Sequence, residues 1–314
     1  MSGLRRLVFI GGRELGARCL AALLASEALV VGVLARSDET GGPQSVRSLA
    51  DAHGAPWLAP PRLGDPDVAE WVRSLKPDLG ICVMFPHRIP AAVLGAFPSG
   101  IANLHGAPLP AYRGCLGHAW AIINGDESYG VTLHWMGIDL DTGPVIREAT
   151  FPIAADETGA SLHAKAVEAA YVLFADTLPV LLAGPGAGTP QDESAARYYS
   201  RRPPFDRLVD WRWPAEFVVR YVRAMVFPGV PMPQATICGR EVEVLSVGLV
   251  TAVDAVPSAG PPGAIAEANE RGVTVRTGDG AVVVEAVQAL APDAVPVTGR
   301  AVGPFLGWTG VGVR

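Results

Sequence analysis

The sequence predicts an α/β protein built on a doubly wound, mostly parallel sheet, with a smaller β-barrel-like domain behind it. Three observations carry that expectation. The amino-terminal region reads strand, turn, helix, strand: Leu7-Val8-Phe9-Ile10, a turn from Gly11 to Gly16, helical spacing through Cys19, Leu20, Leu23 and Leu24, then Leu29 to Leu34. Asp78 to Met84 is a further apolar run of strand length. From Ala235 the pattern changes to short strands joined by hairpin signals at Cys238-Gly239-Arg240 and Thr277-Gly278-Asp279-Gly280. The Gly- and Pro-rich stretch from Gly184 to Pro190 divides the two regions, so 1–183 is expected as the larger domain, 184–204 as a linker and 205–314 as the second domain.

The remaining elements follow in order. Ser37 to Gln44 is a short acidic loop, and Ser45 to His53 and Asp67 to Leu75 are helical, the latter closed by Lys76-Pro77. Phe85 to Pro90 leaves the sheet as a loop. A helix through His118, Trp120, Ile122 and Ile123 ends at Asn124-Gly125. Val131 to Met136 alternates as a strand with Thr132, His134 and Met136 on one face. The turn Ile138 to Gly143 leads into a strand at Val145-Ile146, and Leu162, Val167, Ala170, Tyr171 and Phe174 mark the helix that completes the domain. Pro214 suits the first turn of a later helix carrying Phe217, Tyr221, Val222 and Met225, stopped at Pro228-Gly229. The segment Gly11-Gly12-Arg13-Glu14-Leu15-Gly16 is not GxGxxG, and Ala35-Arg36-Ser37 puts no acidic residue after the second strand. A tight turn is therefore expected there rather than a dinucleotide site.

Composition narrows the function classes. The chain has 314 residues, 49% of them hydrophobic, enough for two cores, yet no run approaches the roughly 18 uninterrupted apolar residues of a membrane helix. The apolar run after Met1 to Arg6 is broken by Gly11 to Glu14, which fits a first strand better than a secretion signal; a cytoplasmic protein without a membrane partner is expected. Cysteines 19, 82, 115 and 238 are scattered with no CxxC spacing, which argues against a disulfide framework and against a metal site. Cys115 lies near the central motif and is weighed as a thiol nucleophile, but no adjacent pattern activates it. From residue 201 onward 11 Lys and Arg face 11 Asp and Glu, leaving 14 against 20 before it in a chain of net charge −6. No cationic cluster able to displace phosphate counterions results, so nucleic acid is not the expected partner. Arg201-Arg202 suffices for one or two phosphates, or is simply solvated.

The chemistry centres on Asn103 to Gly114. Asn103 and His105 are two residues apart on an extended segment and face the same side. An amide N–H can serve a developing oxyanion, and an imidazole can accept or relay a proton near neutral pH, the two needs of acyl transfer to an amine. On spacing alone, an Asn that caps a turn beside a satisfied His is the alternative. The loop Phe85 to Pro90, with His87, and the central motif both belong beyond the carboxyl ends of the strands, where open α/β sheets bind ligands. His134 reads as a supporting or core histidine. Asp139 and Asp141 are each placed either to orient an imidazole or to cap their turn.

On these segments the chain resembles the formyltransferases that use N10-formyltetrahydrofolate. The family pattern Asn-x-His followed by Leu-Pro-x-Tyr/Trp-Arg-Gly stands here as Asn103-Leu104-His105 and Leu109-Pro110-Ala111-Tyr112-Arg113-Gly114. Further matches are Trp120 to Asp126, Gly130-Val131-Thr132-Leu133-His134 and Asp141-Thr142-Gly143, and the likeness continues through Val222-Arg223-Ala224 and Phe227-Pro228-Gly229 as in members with a C-terminal OB-like domain. The resemblance implies the formyltransferase fold, N10-formyltetrahydrofolate as cosubstrate, no metal, and Asn103, His105 and Asp141 as the catalytic trio, selecting Asp141 over Asp139. It places the pterin against Met84, Phe85, Pro86, His87, Arg88, Ile89, Leu109, Gly137, Ile138 and Asp139. The acceptor falls to Tyr112, Arg113, Gly114, His118 and Trp120. Many relatives carry Pro where Gly117 stands and an apolar residue where His118 stands. That departure bears on the acceptor: His118 either contacts an anionic or hydroxylated group or faces solvent.

The Asn-Leu-His-Gly and Trp-Ala-Ile-Ile-Asn-Gly-Asp segments look most similar to enzymes that formylate amino sugars carried on nucleotides. Methionyl-tRNA formyltransferases share the two-domain layout but generally add a longer basic loop after the second strand and a more basic C-terminal region. The expected acceptor is therefore the amine of a small molecule: a nucleotide-linked amino sugar or a biosynthetic amino compound, hydroxylamine-bearing amino acids of siderophore pathways included. Methionyl-tRNA is the alternative acceptor, and water, as in a formyltetrahydrofolate hydrolase, is another. A homodimer is compatible with the sequence.

Overall fold

The computed structural model describes residues 5–307 apart from 39–41, 43, 185, 229, 251–259 and 292–293. Part of the acidic loop Ser37 to Gln44 thus lies outside the described residues. The chain divides into two compact units, one of residues 1–117, 128–152 and 164–199, the other of residues 118–127, 153–163 and 200–314.

The first unit opens with β1 (Arg6–Gly11), α1 (Arg13–Leu24), β2 (Leu29–Ala35), α2 (Val46–Ala52), β3 (Trp57–Leu58), α3 (Pro66–Ser74), β4 (Leu79–Val83), α4 (Ala91–Leu94) and β5 (Ile101–His105). It continues with β6 (Arg113–Gly114), β7 (Ser128–Trp135), β8 (Val145–Pro152), α6 (Gly159–Ala183) from residue 164 onward, and β9 (Tyr198–Tyr199), while α5 (Gly117–Asn124) from His118 onward and the first turn of α6 belong to the second unit. One seven-stranded sheet runs β3-β2-β1-β4-β5-β7-β8, the first five strands parallel and β7 antiparallel to both its neighbours, β5 and β8. Strand order reverses between β1 and β4, so the sheet is doubly wound and mostly parallel, as the sequence indicates. Leu7 to Ile10 are fully buried, as parallel strands covered on both faces require. Val68, Ala69 and Val72 of α3 close one layer over Val8, Ile10 and Leu34, and Asp65 and Pro66 open that helix.

The glycine turn after β1 has a packing cause. A Cβ on Gly11 would stand 2.5 Å from the Val83 carbonyl oxygen, so the glycine lets β1 and β4 end side by side. By length and composition α6 is apolar enough to cross a membrane, although polar residues interrupt its apolar run. Its Leu162, Ala170, Phe174 and Leu181 are instead buried in the protein, and Glu168 on its outer side pairs with Arg18. Within the stretch expected as a linker, Glu193–Ala195 form a 3-10 turn and β9 pairs with β6.

In the second unit, α7 (Ala215–Met225) precedes β10 (Gln234–Ile237), β11 (Arg240–Leu249), β12 (Ile265–Asn269), β13 (Gly272–Arg276), β14 (Ala281–Ala289), β15 (Val297–Thr298) and α8 (Val302–Phe305). The sheet is antiparallel, ordered β10-β11-β14-β13-β12, with β15 on the other half of β14. Both hairpin signals form. Cys238 and Gly239 take φ of 51° and 72° between β10 and β11, and Thr277 to Gly280 joins β13 to β14. Pro214 stands one residue before α7 rather than inside it, and Asp279 accepts from the Ala215 N–H to satisfy an orphan donor of the first turn. Val218, Tyr221, Val222 and Met225 form the buried face of α7.

Candidate active site

The site is built over β5 and the stretch of β7 that pairs with it, beside the end of β4, in the first unit. Asn103 on β5 pairs in register with His134 on β7, and His105 with Thr132, so these four side chains share one face. His134 is 1% exposed. Its Nδ1 lies 2.8 Å from the Trp135 carbonyl oxygen, which only accepts, so Nδ1 carries the proton and Nε2 is left as an acceptor. The Asn103 amide lies 3.0 Å from that Nε2 and therefore donates one N–H to it. One side-chain N–H of Asn103 and its carbonyl oxygen remain. Burial, joined by the neighbouring His105, pushes His134 down to about 4 and keeps it neutral.

His105 is oriented the same way. Its Nε2 donates to the Tyr112 carbonyl oxygen at 2.8 Å, which turns Nδ1 toward Asp141 Oδ2, 3.8 Å away. The loop between them is pinned by Thr132, whose hydroxyl donates to the Ala107 carbonyl and accepts the Leu109 N–H. Tyr129 donates to the Gly106 carbonyl. Asp141 is 7% exposed, its Oδ2 accepts the Gly114 N–H at 2.8 Å, and its Oδ1 lies 3.8 Å from His134 Nε2. Gly143 closes this turn: a Cβ there would stand 1.8 Å from the Trp135 carbonyl oxygen. Asp139, three-quarters exposed, faces Arg88 at 3.5 Å instead of an imidazole.

Of the residues expected against a pterin, Arg88, Ile89, Gly137, Ile138 and Asp139 line one narrow cleft, together with Leu140, Met136, His134 and Asp141. Arg88 bridges it by donating to the Ile138 carbonyl. Ile138 and Leu140 expose apolar surface, as walls for a flat heteroaromatic ring would. In the adjoining loop Met84 has φ of 52°, Phe85 and His87 pack edge to face, and Pro86 lies between them. Leu109 is buried under the His105 loop.

The residues expected at the acceptor divide. Tyr112 is buried and stacked on Tyr199 at 5.2 Å, and Gly114 meets Asp141. The Arg113 guanidinium is spent on Gln191 and Glu193. His118 and Trp120 belong to the second unit. His118 does not face solvent: it packs 4.8 Å from Phe227 and 5.2 Å from His163, and burial, then His163, push it down to about 3. Trp120 meets Phe205 edge to face. Gln191 and Glu193 are the participants that sequence reasoning missed. Among the described residues no group of three or more His, Cys, Asp and Glu side chains gathers at metal-binding distance.

An amide donor, an oriented imidazole and a buried carboxylate around one opening can polarise a carbonyl and move a proton beside it. Comparison with known proteins agrees with that chemistry. A family model described as formyl transferase matches residues 5–178, and one described as formyl transferase, C-terminal domain, matches 203–299. The methionyl-tRNA formyltransferase of Trichlorobacter lovleyi is 32% identical over 293 residues, 90% of this chain and 89% of that protein. That of Pseudomonas paraeruginosa is 34% identical over 289 residues, 90% of this chain and 91% of its own length. The crystal structure of the N-formyltransferase from Helicobacter canadensis, in complex with folinic acid and dTDP-3-aminofucose, has a TM-score of 0.65 at 17% identity. It covers 89% of this chain and 98% of that one, a likeness of fold. With both models in order along the chain and relatives above 30% identity across nine-tenths of it, this enzyme belongs to the formyl transferase family.

Proposed function

We propose that this enzyme transfers the formyl group of N10-formyltetrahydrofolate to the amine of a small molecule, a nucleotide-linked amino sugar or a biosynthetic amino compound. When bound, the folate supplies an activated one-carbon unit at the formyl oxidation level. Ile89, Ile138 and Leu140 would offer the pterin apolar walls, with Arg88 and the backbone of 137–139 supplying polar groups. Asn103 gives its second N–H to the formyl oxygen as negative charge collects there. His105 would add a second donor through Nδ1. Asp141, 3.8 Å from His105, would favour a charged imidazole and steer the proton of the attacking amine to the folate nitrogen, which departs as its bond to the formyl carbon breaks. The amine attacks directly, so neither Cys115 nor any other thiol is required.

The observation that supports a small acceptor is the disposal of charge in the second unit. Arg207 faces Glu243 at 3.7 Å, Arg212 faces Asp210 at 2.6 Å, Arg220 faces Glu216 at 3.8 Å and Arg271 faces Glu285 at 3.2 Å. Cations neutralised within the fold release few phosphate counterions, so they contribute little to holding a polynucleotide. The curated relatives favour methionyl-tRNA, and that is the second reading. The test is release of tetrahydrofolate with separate pools of amino-sugar nucleotides, amino acids, hydroxylamine-bearing amino acids and charged methionyl-tRNA, with the product mass recorded. A gain of one formyl group on a small amine supports the proposal. Turnover with the tRNA alone overturns its acceptor, and formate release with no amine present marks a hydrolase.

A further inference from the structure

The stretch from Thr189 to Tyr199 reads in sequence as the tail of a linker, yet it lies along both arms of the site. Thr189 exchanges two backbone hydrogen bonds with Val145 just after the Asp141 turn. Arg197 and Tyr199 bond to the backbone of Pro110, Arg113 and Cys115. Between those anchors sits Gln191. Its Nε2 donates to the carbonyl oxygens of Asp141 at 2.8 Å and Gly143 at 2.7 Å. Its Oε1 accepts from Arg113 Nε at 3.1 Å and Nη2 at 2.8 Å, and Glu193 takes the outer edge of the same guanidinium. Every donor and lone pair of this one amide is engaged. Asp141 itself has φ of 57°, a conformation that a non-glycine residue keeps only where its surroundings hold it.

We propose that Gln191 is a positioning residue for formyl transfer: it ties the Asp141 turn to Arg113-Gly114 and so fixes the carboxylate that faces His105. The inference rests on the reading that Asp141 acts on His105. An amide suits this place because one end must donate to two carbonyls while the other accepts from a cation. A carboxylate does only the second.

That asymmetry gives the experiment. Gln191→Glu keeps the Arg113 partner and loses both donors to the Asp141 turn. The expected result is a kcat lowered about tenfold to a hundredfold, the range in which small displacements of reacting groups fall, with KM for either substrate little changed and normal circular dichroism. Because the residue acts through Asp141, its effect largely disappears in an Asp141→Asn background, measured as residual turnover at high enzyme concentration. Asp192→Asn, in the same turn but with its carboxylate accepting from Ser194, leaves kcat unchanged. Where Gln191→Glu does not fold, Gln191→Met, uncharged and of similar length, is read in the same way. Wild-type kcat in the Gln191 variant, or a loss that multiplies in full onto Asp141→Asn, overturns the proposal while the role of Asp141 stands. Near-normal turnover in Asp141→Asn removes the underlying reading itself.

Discussion

Lowering the pH from 7 to 5 should destabilise the first unit through His134. The imidazole sits at about 4 in the fold against an ordinary 6.5, chiefly from burial, with His105 and Arg113 pushing down and Asp141 and the Trp135 carbonyl pulling up. A histidine depressed in the folded state takes its proton more readily when unfolded, so acid favours unfolding. Its penalty is absent above the unfolded value, grows as pH falls below 6.5 and is complete below about 4. At 1.36 kcal/mol per pKa unit, the share developed between pH 7 and pH 5 is roughly 2 kcal/mol. The assay is urea unfolding of wild type and His134→Gln at both pH values. Glutamine can still accept from Asn103 but does not titrate. The stability difference between the two proteins should move by roughly 2 kcal/mol in favour of the variant at pH 5. His118, also depressed, contributes equally to both proteins and cancels. A difference that stays constant with pH would refute the assignment of His134 as a buried neutral acceptor.

Two other outcomes follow from the same geometry. Gly143→Ala places a methyl group 1.8 Å from the Trp135 carbonyl oxygen, so the Asp141 turn has to shift. Thermal unfolding should report a loss of about 1–3 kcal/mol, and kcat should fall by more than that loss of folded protein explains. Raising salt from about 50 to 200 mM should leave the KM of the acceptor within about twofold, whereas a polynucleotide held by many phosphate contacts would weaken by about a thousandfold or more.

The parts of this protein legible in the sequence are those fixed by local pattern. Leu7 to Ile10, Leu29 to Leu34 and Asp78 to Met84 read as strands because burial on both faces leaves continuous apolar runs. The hairpins at Cys238-Gly239 and Gly278-Asp279 were readable from turn chemistry alone. The shared face of Asn103 and His105 follows from strand alternation, and the structure adds that His134 lies opposite Asn103 in register. Strand β3 is two residues long and α4 is four, too short for any period to register. The roles of Gln191 and Glu193 left no mark, because nothing in a Gly- and Pro-flanked polar stretch says that Arg113, 78 and 80 residues earlier, will fold against it. The burial of His118 was not legible for a similar reason: its helix exposes one face in isolation, and Phe227 and His163 pack against its ring.

The measurement that bears most directly on the account is single-turnover release of tetrahydrofolate by wild type, Asn103→Ala and His105→Ala, with saturating acceptor and folding confirmed for each. If Asn103 and His105 together hold the charge that develops on the formyl oxygen, each variant loses about a hundred- to a thousandfold in rate while folate binding changes little. Near-normal rates in both variants would contradict the account and move the chemistry away from β5.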